Sequence, residues 1–160
     1  MTGRPRVLAI SSTGGHWIQL LRLAPAWDGC TVHYATTSPD FRGHVARIAQ
    51  ARGQEPPAYH VVTDANRWQK LKLVRQALEV LILLLRVRPD VIITTGASVG
   101  YFAIRFGRLL GARTCWLDSI ANAKEPSLSG ARAGPIADLW LTQWPELARP
   151  GGPRYEGQVL

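Results

Sequence analysis

The sequence predicts a single α/β domain in which a parallel, Rossmann-like sheet carries helices on both faces. Short apolar runs alternate along the chain with segments of helical spacing, as expected when crossover helices join parallel strands. The apolar runs are continuous rather than alternating, which is typical of strands buried on both faces. A chain of 160 residues, 46% of them hydrophobic, is long enough for one such domain.

Six strands and four connecting helices are expected. The strands are the segments Arg6–Ile10, Thr31–Thr36, Tyr59–Val62, Asp90–Thr95, Arg113–Leu117 and Leu139–Thr142. Apolar residues at helical spacing predict helices over His16–Trp27, from about Asp40 to Arg52, over Asn66–Arg88, and from Gly96 to near Gly111. Asp40 is the expected N-cap of the second helix, and Pro89 ends the third.

Residues 1–148 are expected to form this domain, and residues 149–160 a short tail. The segment from Arg149 to Pro153 combines Pro and Gly in the manner of a loop. The residues after it are too few to add another layer. We therefore expect the tail to be available for contact with a partner chain.

The composition favours anionic partners and excludes several classes of protein. Lys and Arg outnumber Asp and Glu by 19 to 11, a formal net charge of +8. The basic residues are spread without a nucleic-acid-reading motif, so no nucleic acid is expected. The cysteines and histidines lack metal-ligand spacing, and neither a metal nor a cofactor is predicted. The longest apolar run, Val80–Leu85, is too short to span a membrane, and no leader sequence is expected.

A glycine loop directly follows the first strand, with the sequence Ser11-Ser12-Thr13-Gly14-Gly15-His16. Ligands of open α/β sheets bind beyond the carboxyl ends of strands, where glycines and a helix N-terminus can hold an anion. Thr13, Gly14 and Gly15 are therefore predicted to bind a phosphate group, and His16 to act as a general base or a phosphate ligand. A tight turn without a ligand is the alternative.

Two further segments follow strands in the same way. Gly96 and Ser98 lie after the fourth strand, and Asp118, Ser119 and Asn122 lie after the fifth. We expect the first pair to bound a ligand cleft and the other three to line its rim. The alternatives are close helix–sheet packing for the first segment and a solvated loop with Ser127 as N-cap for the second.

Two features suggest surfaces for larger partners. In the Lys70–Arg88 segment, apolar residues exceed one stripe and basic residues flank them, which suits an anionic membrane surface. A core helix with a solvated basic end is the alternative. Near the end of the chain, Trp144 and Tyr155 are candidates for a partner interface, although burial would explain Trp144 equally well.

Taken together, these segments resemble one family. The collinear order is Ser-Ser-Thr-Gly-Gly-His at 11–16, Arg-Pro-Asp-Val-Ile-Ile at 88–93 with Thr-Gly-Ala at 95–97, Asp-Ser-Ile-Ala at 118–121, Ser-Leu-Ser-Gly at 127–130, and Ala-Asp at 137–138 leading to Gln-Trp-Pro-Glu-Leu at 143–147. The chain resembles the asparagine-linked-glycosylation protein fourteen-like family, which includes bacterial exopolysaccharide glycosyltransferase subunits. The Gly-Gly-His loop is shared with related lipid-acceptor transferases, whereas the later motifs are more specific.

The resemblance implies the N-terminal, acceptor-side half of a two-domain GT-B glycosyltransferase. The donor-binding half would be a second polypeptide, and the acceptor a polyprenyl-diphosphate-linked sugar in polysaccharide or oligosaccharide biosynthesis. The implied activity is hexosyl transfer from a UDP-sugar, of N-acetylglucosamine type, at the cytoplasmic face of a membrane. Gly14 and Gly15 would hold the acceptor diphosphate, while His16 would accept a proton or only bind diphosphate.

Two departures from the family pattern affect these expectations. Eukaryotic-type members carry an N-terminal membrane anchor, which is not expected here, so membrane contact would come from the Lys70–Arg88 helix or from a partner. Many relatives have Glu where this chain has Asp118, one methylene shorter. Two other functions stay open: a non-catalytic protein that recruits the partner, and a stand-alone nucleotide-binding Rossmann enzyme. The absence of a Gly-x-Gly-x-x-Gly motif disfavours the latter.

Overall fold

A seven-stranded, wholly parallel sheet organises the fold of this computed structural model, which describes residues 3–159. Met1 and Leu160, the outer bounds of the predicted domain and tail, therefore lie outside the described residues, as does Thr2. The strands are β1 Arg6–Ile10, β2 Thr31–Thr36, β3 Ala58–Val61, β4 Val91–Thr94, β5 Arg113–Leu117, β6 Leu139–Thr142 and β7 Arg154–Tyr155. Their spatial order is β3-β2-β1-β4-β5-β6-β7. This arrangement confirms the predicted fold class.

Five α-helices accompany the sheet in the described part of the chain. They are α1 Gly15–Arg22, α2 Arg42–Ala51, α3 Lys70–Val87, α4 Ala97–Leu109 and α5 Leu128–Ala133. Short 3₁₀ turns occupy Ala24–Trp27, Gly134–Ile136 and Pro145–Leu147. None of the helices within residues 3–159 has both the length and the hydropathy needed to cross a membrane.

The core forms on both faces of the sheet because neighbouring residues of each central strand point in opposite directions. Leu8 and Ile10 of β1 pack with α3 and α4, whereas Val7 and Ala9 pack with α1 and α2. A third cluster, around Trp116, joins α4 to α5. The sheet is thereby held rigidly, so the loops at its carboxyl edge start from fixed positions.

Three helix starts or ends differ from the sequence expectation. The first helix stops at Arg22, because Pro25 has no N–H for a continuing α-helix and a 3₁₀ turn takes over. Asp40 does not cap α2, since its carboxylate accepts a hydrogen bond from Ser38 Oγ at 2.7 Å. The third helix begins at Lys70 rather than Asn66, whose side chain instead accepts a bond from Trp68 N.

The tail predicted over 149–160 contributes a two-residue strand to the sheet, which the sequence analysis did not predict. Arg154 and Tyr155 form β7 and pair with Leu141 and Thr142 of β6. A two-residue edge strand pairs through backbone groups alone and leaves no apolar run in the sequence. The sequence therefore contains no apolar pattern from which β7 could be predicted.

Two histidines on adjacent strands, His33 of β2 and His60 of β3, are hydrogen-bonded to each other at the β3 edge of the sheet. Nδ1 of His33 lies 3.1 Å from Nε2 of His60, and the ring planes are nearly parallel. Burial, and then the charge of Arg6, lowers the pKa of His33. Burial also lowers the pKa of His60, with smaller contributions from His33 and Arg42. The folded state therefore favours neutral imidazoles.

This pair predicts acid sensitivity of the fold. Well above pH 6.5 both rings are neutral in the folded and unfolded states. As the pH falls through about 6.5 the unfolded chain binds protons more readily than the folded one, so stability falls towards the lowered folded-state pKa values. Denaturant unfolding of the chain at about pH 7.5 and about pH 5.5 measures the loss. The double variant His33→Gln/His60→Gln should show a smaller loss. His44→Gln, in the exposed part of α2, is the control; an equal loss in both variants would contradict the assignment.

The start of α4 stores backbone strain. Ala97 has φ of 66°, in the left-handed region that side chains other than glycine rarely occupy. It directly follows Gly96, whose own φ is 133°. This turn follows β4 at the carboxyl edge of the sheet. Strained backbone conformations of this kind are enriched at functional sites.

Relief of this strain should be measurable. We expect Ala97→Gly to raise the free energy of unfolding by up to about 1 kcal/mol, because glycine adopts this φ without cost. Ala77→Gly, within α3, should lower it by about 1 kcal/mol through helix propensity alone. Chemical denaturation of both variants tests the contrast. A loss for Ala97→Gly as large as that for Ala77→Gly would show that the turn is unstrained.

Candidate functional site

The ends of β1, β4 and β5 meet at the centre of the carboxyl edge, because these strands are neighbours in the parallel sheet. Each is followed by one of the segments singled out in the sequence. The helix α1 starts from the first of them and reaches the other two through His16 and Gln19. The structure thus assembles the three segments into one site.

The glycine loop presents unpaired backbone donors. Gly14 has φ of 79°, and both it and Gly15 are exposed. Among residues 3–159, no acceptor pairs with the N–H groups of Gly15, His16 and Trp17, the first turn of α1. Thr13 is held from β2, since its N–H donates to Thr37 Oγ1 at 3.3 Å. Free N–H groups and the positive end of the helix dipole together suit an anion.

His16 has a defined tautomer. Its Nδ1 lies 2.7 Å from the carbonyl oxygen of Thr95. A carbonyl oxygen can only accept, so Nδ1 carries the proton and Nε2 is left as the acceptor. The hydroxyl of Thr95 donates in turn to the carbonyl of His16 at 2.6 Å. This double contact joins the glycine loop to the end of β4 and leaves Nε2 able to accept a proton.

Gly96 makes room for the imidazole. A Cβ at this position would lie 2.7 Å from Cε1 and 2.8 Å from Nδ1 of His16, far inside contact distance. Gly96 therefore packs directly against the His16 ring, and its role in bounding a ligand cleft stays a prediction. Ser98 serves a different neighbour, since its Oγ lies 2.7 Å from Gln76 Oε1 and 3.1 Å from Ala65 O. Its hydroxyl contacts α3, and the place of Ser98 beside a ligand cleft stays a prediction.

Asp118 lies inside the protein and not on a rim, which corrects the sequence expectation. It is 2% exposed. One carboxylate oxygen accepts from Ser127 Oγ at 2.8 Å and from Asn122 Nδ2 at 3.4 Å. The other accepts from Trp140 Nε1 at 3.3 Å. Ser127 also caps α5, so the carboxylate fixes the path from β5 to α5.

A pair of buried glutamines ties the third segment to α1. Gln19 Nε2 donates to Ser119 Oγ at 3.1 Å, and Gln19 Oε1 accepts from Ile120 N at 3.1 Å. Gln143 Nε2 donates to Gln19 Oε1 at 2.6 Å and to the carbonyl of Asp118 at 3.0 Å. Ser119 therefore lies in a closed network beneath the surface.

The two predicted interface residues differ in their surroundings. Trp144 is half-buried, and its Nε1 donates to the carbonyl of Ile120 at 2.7 Å. It thus supports the loop after β5. Tyr155 is exposed on the edge strand β7. Contact of either with another chain stays a prediction.

Sequence reasoning missed the residues that position the site. Thr95 and Thr37 hold the glycine loop, and Gln19 and Gln143 hold the loop after β5. Only Gln19 left a signal, because residues three apart on a helix share a face and Gln19 follows His16 at that spacing. In the described part of the chain, no group of three or more His, Cys, Asp or Glu could hold a metal ion.

The third helix presents two opposed apolar faces. Its buried face packs on the sheet through Val80, Leu83, Leu84 and Val87. On the opposite side an exposed apolar stripe runs the length of the helix, formed by Leu71, Val74, Leu78, Ile82 and Leu85. Basic residues flank this stripe at positions 70, 72, 75, 86 and 88. The predicted core helix and the predicted surface helix are thus the same element.

Comparison with known proteins identifies relatives over most of the chain. No protein-family model matches it. It is 25% identical to the UDP-N-acetylglucosamine transferase subunit ALG14 of Yarrowia lipolytica, over 90% of this chain and 76% of that protein. The ALG14 subunit of Eremothecium gossypii is 26% identical over 92% of this chain and 76% of its own length.

Solved structures agree on the fold. MurG of Acinetobacter baumannii superposes with a TM-score of 0.71 at 16% identity, over 94% of this chain and 45% of its own. A UDP-N-acetylglucosamine 2-epimerase of Rickettsia bellii superposes with a TM-score of 0.62 at 14% identity, over 88% of this chain and 39% of its own. The chain therefore spans less than half the length of these structures. The resemblance seen in the sequence is confirmed: the chain is similar to the ALG14 subunits and has the fold of the N-terminal half of a GT-B glycosyltransferase.

Proposed function

We propose that this chain is the acceptor-binding, membrane-associated subunit of an inverting glycosyltransferase. It would act with a donor-binding partner to move an N-acetylglucosamine-type sugar from a UDP-sugar to a polyprenyl-diphosphate-linked acceptor. The observation that carries the proposal is the convergence of free loop N–H groups and an acceptor Nε2 at one edge of this fold. Its relatives are named as transferase subunits, which supports the same class of reaction.

The acceptor would be held by its diphosphate. The oxygens accept hydrogen bonds from the N–H groups of Gly15 and His16, and the dipole of α1 adds favourable charge. Gly14 and Gly15 keep side chains away, so the anion can approach the backbone closely. The net charge of +8 favours the approach of such an anionic ligand.

In the transfer step His16 would serve as the base. As the acceptor hydroxyl forms its bond to the anomeric carbon of the donor, Nε2 takes the hydroxyl proton and the bond to UDP breaks with its electron pair on the diphosphate. Thr95 O accepts from Nδ1 throughout and stabilises the imidazolium that forms. Stabilisation of the leaving UDP is assigned to the partner subunit. Binding of diphosphate without proton transfer is the other role open to His16.

Kinetics of the co-expressed complex test these roles. We expect His16→Ala to lower kcat by about 10²–10⁴-fold, the range for loss of a general base. His44→Ala, on the exposed part of α2, is the matched control. The measurement is sugar transfer to a synthetic polyprenyl-diphosphate acceptor. Full activity of His16→Ala would remove the base from the mechanism.

Charge at the glycine loop tests the diphosphate site separately. A Cβ at Gly15 would meet only Gln19 Nε2, at 4.0 Å, so Gly15→Asp adds a negative charge without a clash. We expect it to raise the acceptor KM by about 10-fold or more, equivalent to about 1.4 kcal/mol of lost binding. Gly15→Ala controls for the side chain alone. If His16→Ala and Gly15→Asp were both fully active while Trp144→Ala abolished complex formation, the non-catalytic recruitment function would be favoured instead.

Membrane association is assigned to the exposed stripe of α3, defined above. It spans positions 71 to 85, about 21 Å at the helical rise of 1.5 Å per residue. Through Gln76, on the buried face of the helix, the first half of α3 contacts Ser98, two residues from Gly96. Apolar residues flanked by Lys and Arg suit the headgroup boundary of an anionic leaflet. The free thiols Cys30 and Cys115 accord with a location on the cytoplasmic face.

Binding to vesicles tests this surface. Leu78→Glu should weaken sedimentation with vesicles of mixed neutral and anionic phospholipid by about 10-fold or more, because a buried apolar side chain of this size contributes about 1.5–3 kcal/mol. Leu128→Glu, in α5, is equally exposed at 55% and is the matched control. Equal binding of the two variants would assign membrane contact elsewhere.

A further inference from the structure

Gln143 occupies an unusual place for a polar side chain. It is fully buried, directly after β6, with all of its hydrogen-bonding groups engaged. Its two amide hydrogens go to Gln19 Oε1 and to the carbonyl of Asp118. Its Oε1 accepts from the backbone N–H of Val159 at 2.9 Å. The side chain of Gln143 therefore joins α1, the loop after β5 and the tail.

The orientation of this amide is determined by its partners. Gln19 Oε1 and the carbonyl of Asp118 are both acceptors, so they require the NH₂ group of Gln143. The oxygen must then face Val159, whose N–H is a donor. A flipped amide would place oxygen against two oxygens, and the N–H of Val159 would lose its acceptor.

The last part of the tail, residues 156–159, makes few hydrogen bonds with the rest of the protein. Within residues 3–159, the bond from Val159 is the one hydrogen bond described for residues 156–159. Glu156, Gly157 and Gln158 are exposed. One described hydrogen bond and the half-buried side chain of Val159 hold this segment. Segments with so few contacts open at lower free energy than a buried sheet, so residues 156–159 can leave Gln143 while the sheet stays folded.

The same network reaches the proposed base. Gln19 lies three residues after His16 in α1, on the same face of the helix. Its carboxamide fixes how that helix sits against Ser119 and Ile120. The roll of α1 in turn sets the distance from His16 Nδ1 to Thr95 O. A change at Gln143 would therefore reach the imidazole through Gln19 and the packing of α1.

We propose that Gln143 is a positioning residue that couples docking of the 156–159 tail to the orientation of His16. With the tail in place, the amide holds Gln19 and the loop after β5 in the arrangement described. With the tail released, the buried Oε1 loses its donor and the network loosens. The catalytic meaning of this coupling rests on the proposed function.

The test uses the whole isolated chain and needs no activity. Val159→Pro removes the N–H that Gln143 accepts, and Val159→Ala keeps it while shortening the side chain. Gln143→Leu removes the amide, and Gln50→Leu, exposed on α2, is its control. Two signals are measured: hydrogen exchange of the Ile120 amide, and the ¹⁵N shifts of the His16 ring, which report its tautomer.

We expect Val159→Pro and Gln143→Leu to speed exchange at Ile120 by about 10-fold, the loss of one well-formed bond at about 1.4 kcal/mol. Both should also move His16 from the pure Nδ1–H tautomer to a mixture. Val159→Ala and Gln50→Leu should change neither. The coupling is overturned if Val159→Pro leaves both signals unchanged, or if exchange rises equally at the amides of β1, since that would mean general destabilisation.

Assay of the same variants in the partner complex separates this proposal from the proposed function. Coupling predicts a lower kcat for Val159→Pro with little change in acceptor KM, since the glycine loop itself is unaltered. If no partner gives sugar transfer while the exchange and tautomer effects hold, the proposed function fails and the coupling stands. If transfer occurs and Val159→Pro matches the parent chain in kcat and in both signals, the coupling fails alone.

Discussion

Burial of β1 on both faces is the constraint on which the rest of the structure depends. Val7, Leu8, Ala9 and Ile10 are each at most 3% exposed. Such a strand must lie at the centre of the sheet, between β2 and β4, with helices above and below it. Its carboxyl end, and with it the glycine loop, is thereby placed in the middle of the edge. A loop at that position has neighbouring strand ends on both sides to complete a site.

The short helix α1 satisfies two demands at once. Trp17 and Leu20 point into the core, where Trp17 packs edge-on against Tyr34 at 5.8 Å between ring centroids. His16 and Gln19, on the adjacent face, reach the ends of β4 and β5. The apolar contacts stabilise the helix, and the polar contacts define its rotation. The position of the imidazole is therefore a consequence of core packing as much as of local loop geometry.

Much of this architecture could be predicted from the sequence. The exceptions all depend on contacts with distant residues that form only in the folded chain. Six strands were placed to within a residue at each end because continuous apolar runs mark them, and β1 and the glycine loop were located together for that reason. β7 was missed because it pairs through backbone groups only. Gln19 and Gln143 were missed because they are 124 residues apart, and a glutamine is buried only when such a partner arrives. Asp118 was placed on the surface for the same reason, since Ser127 and Trp140 complete its bonds only in the fold.

The close approach of Gly96 to the imidazole has a consequence for how such chains can diverge. Any side chain at position 96 would occupy the volume of the His16 ring. A lineage that keeps histidine in the first loop must then keep glycine after β4, although 80 residues separate the two positions in the sequence. Loss of the ring would remove the steric clash at position 96, but a side chain there would still meet the backbone strain of a φ of 133°. Positions 16 and 96 are therefore coupled by steric exclusion, and we expect a change at either one to depend on the residue at the other.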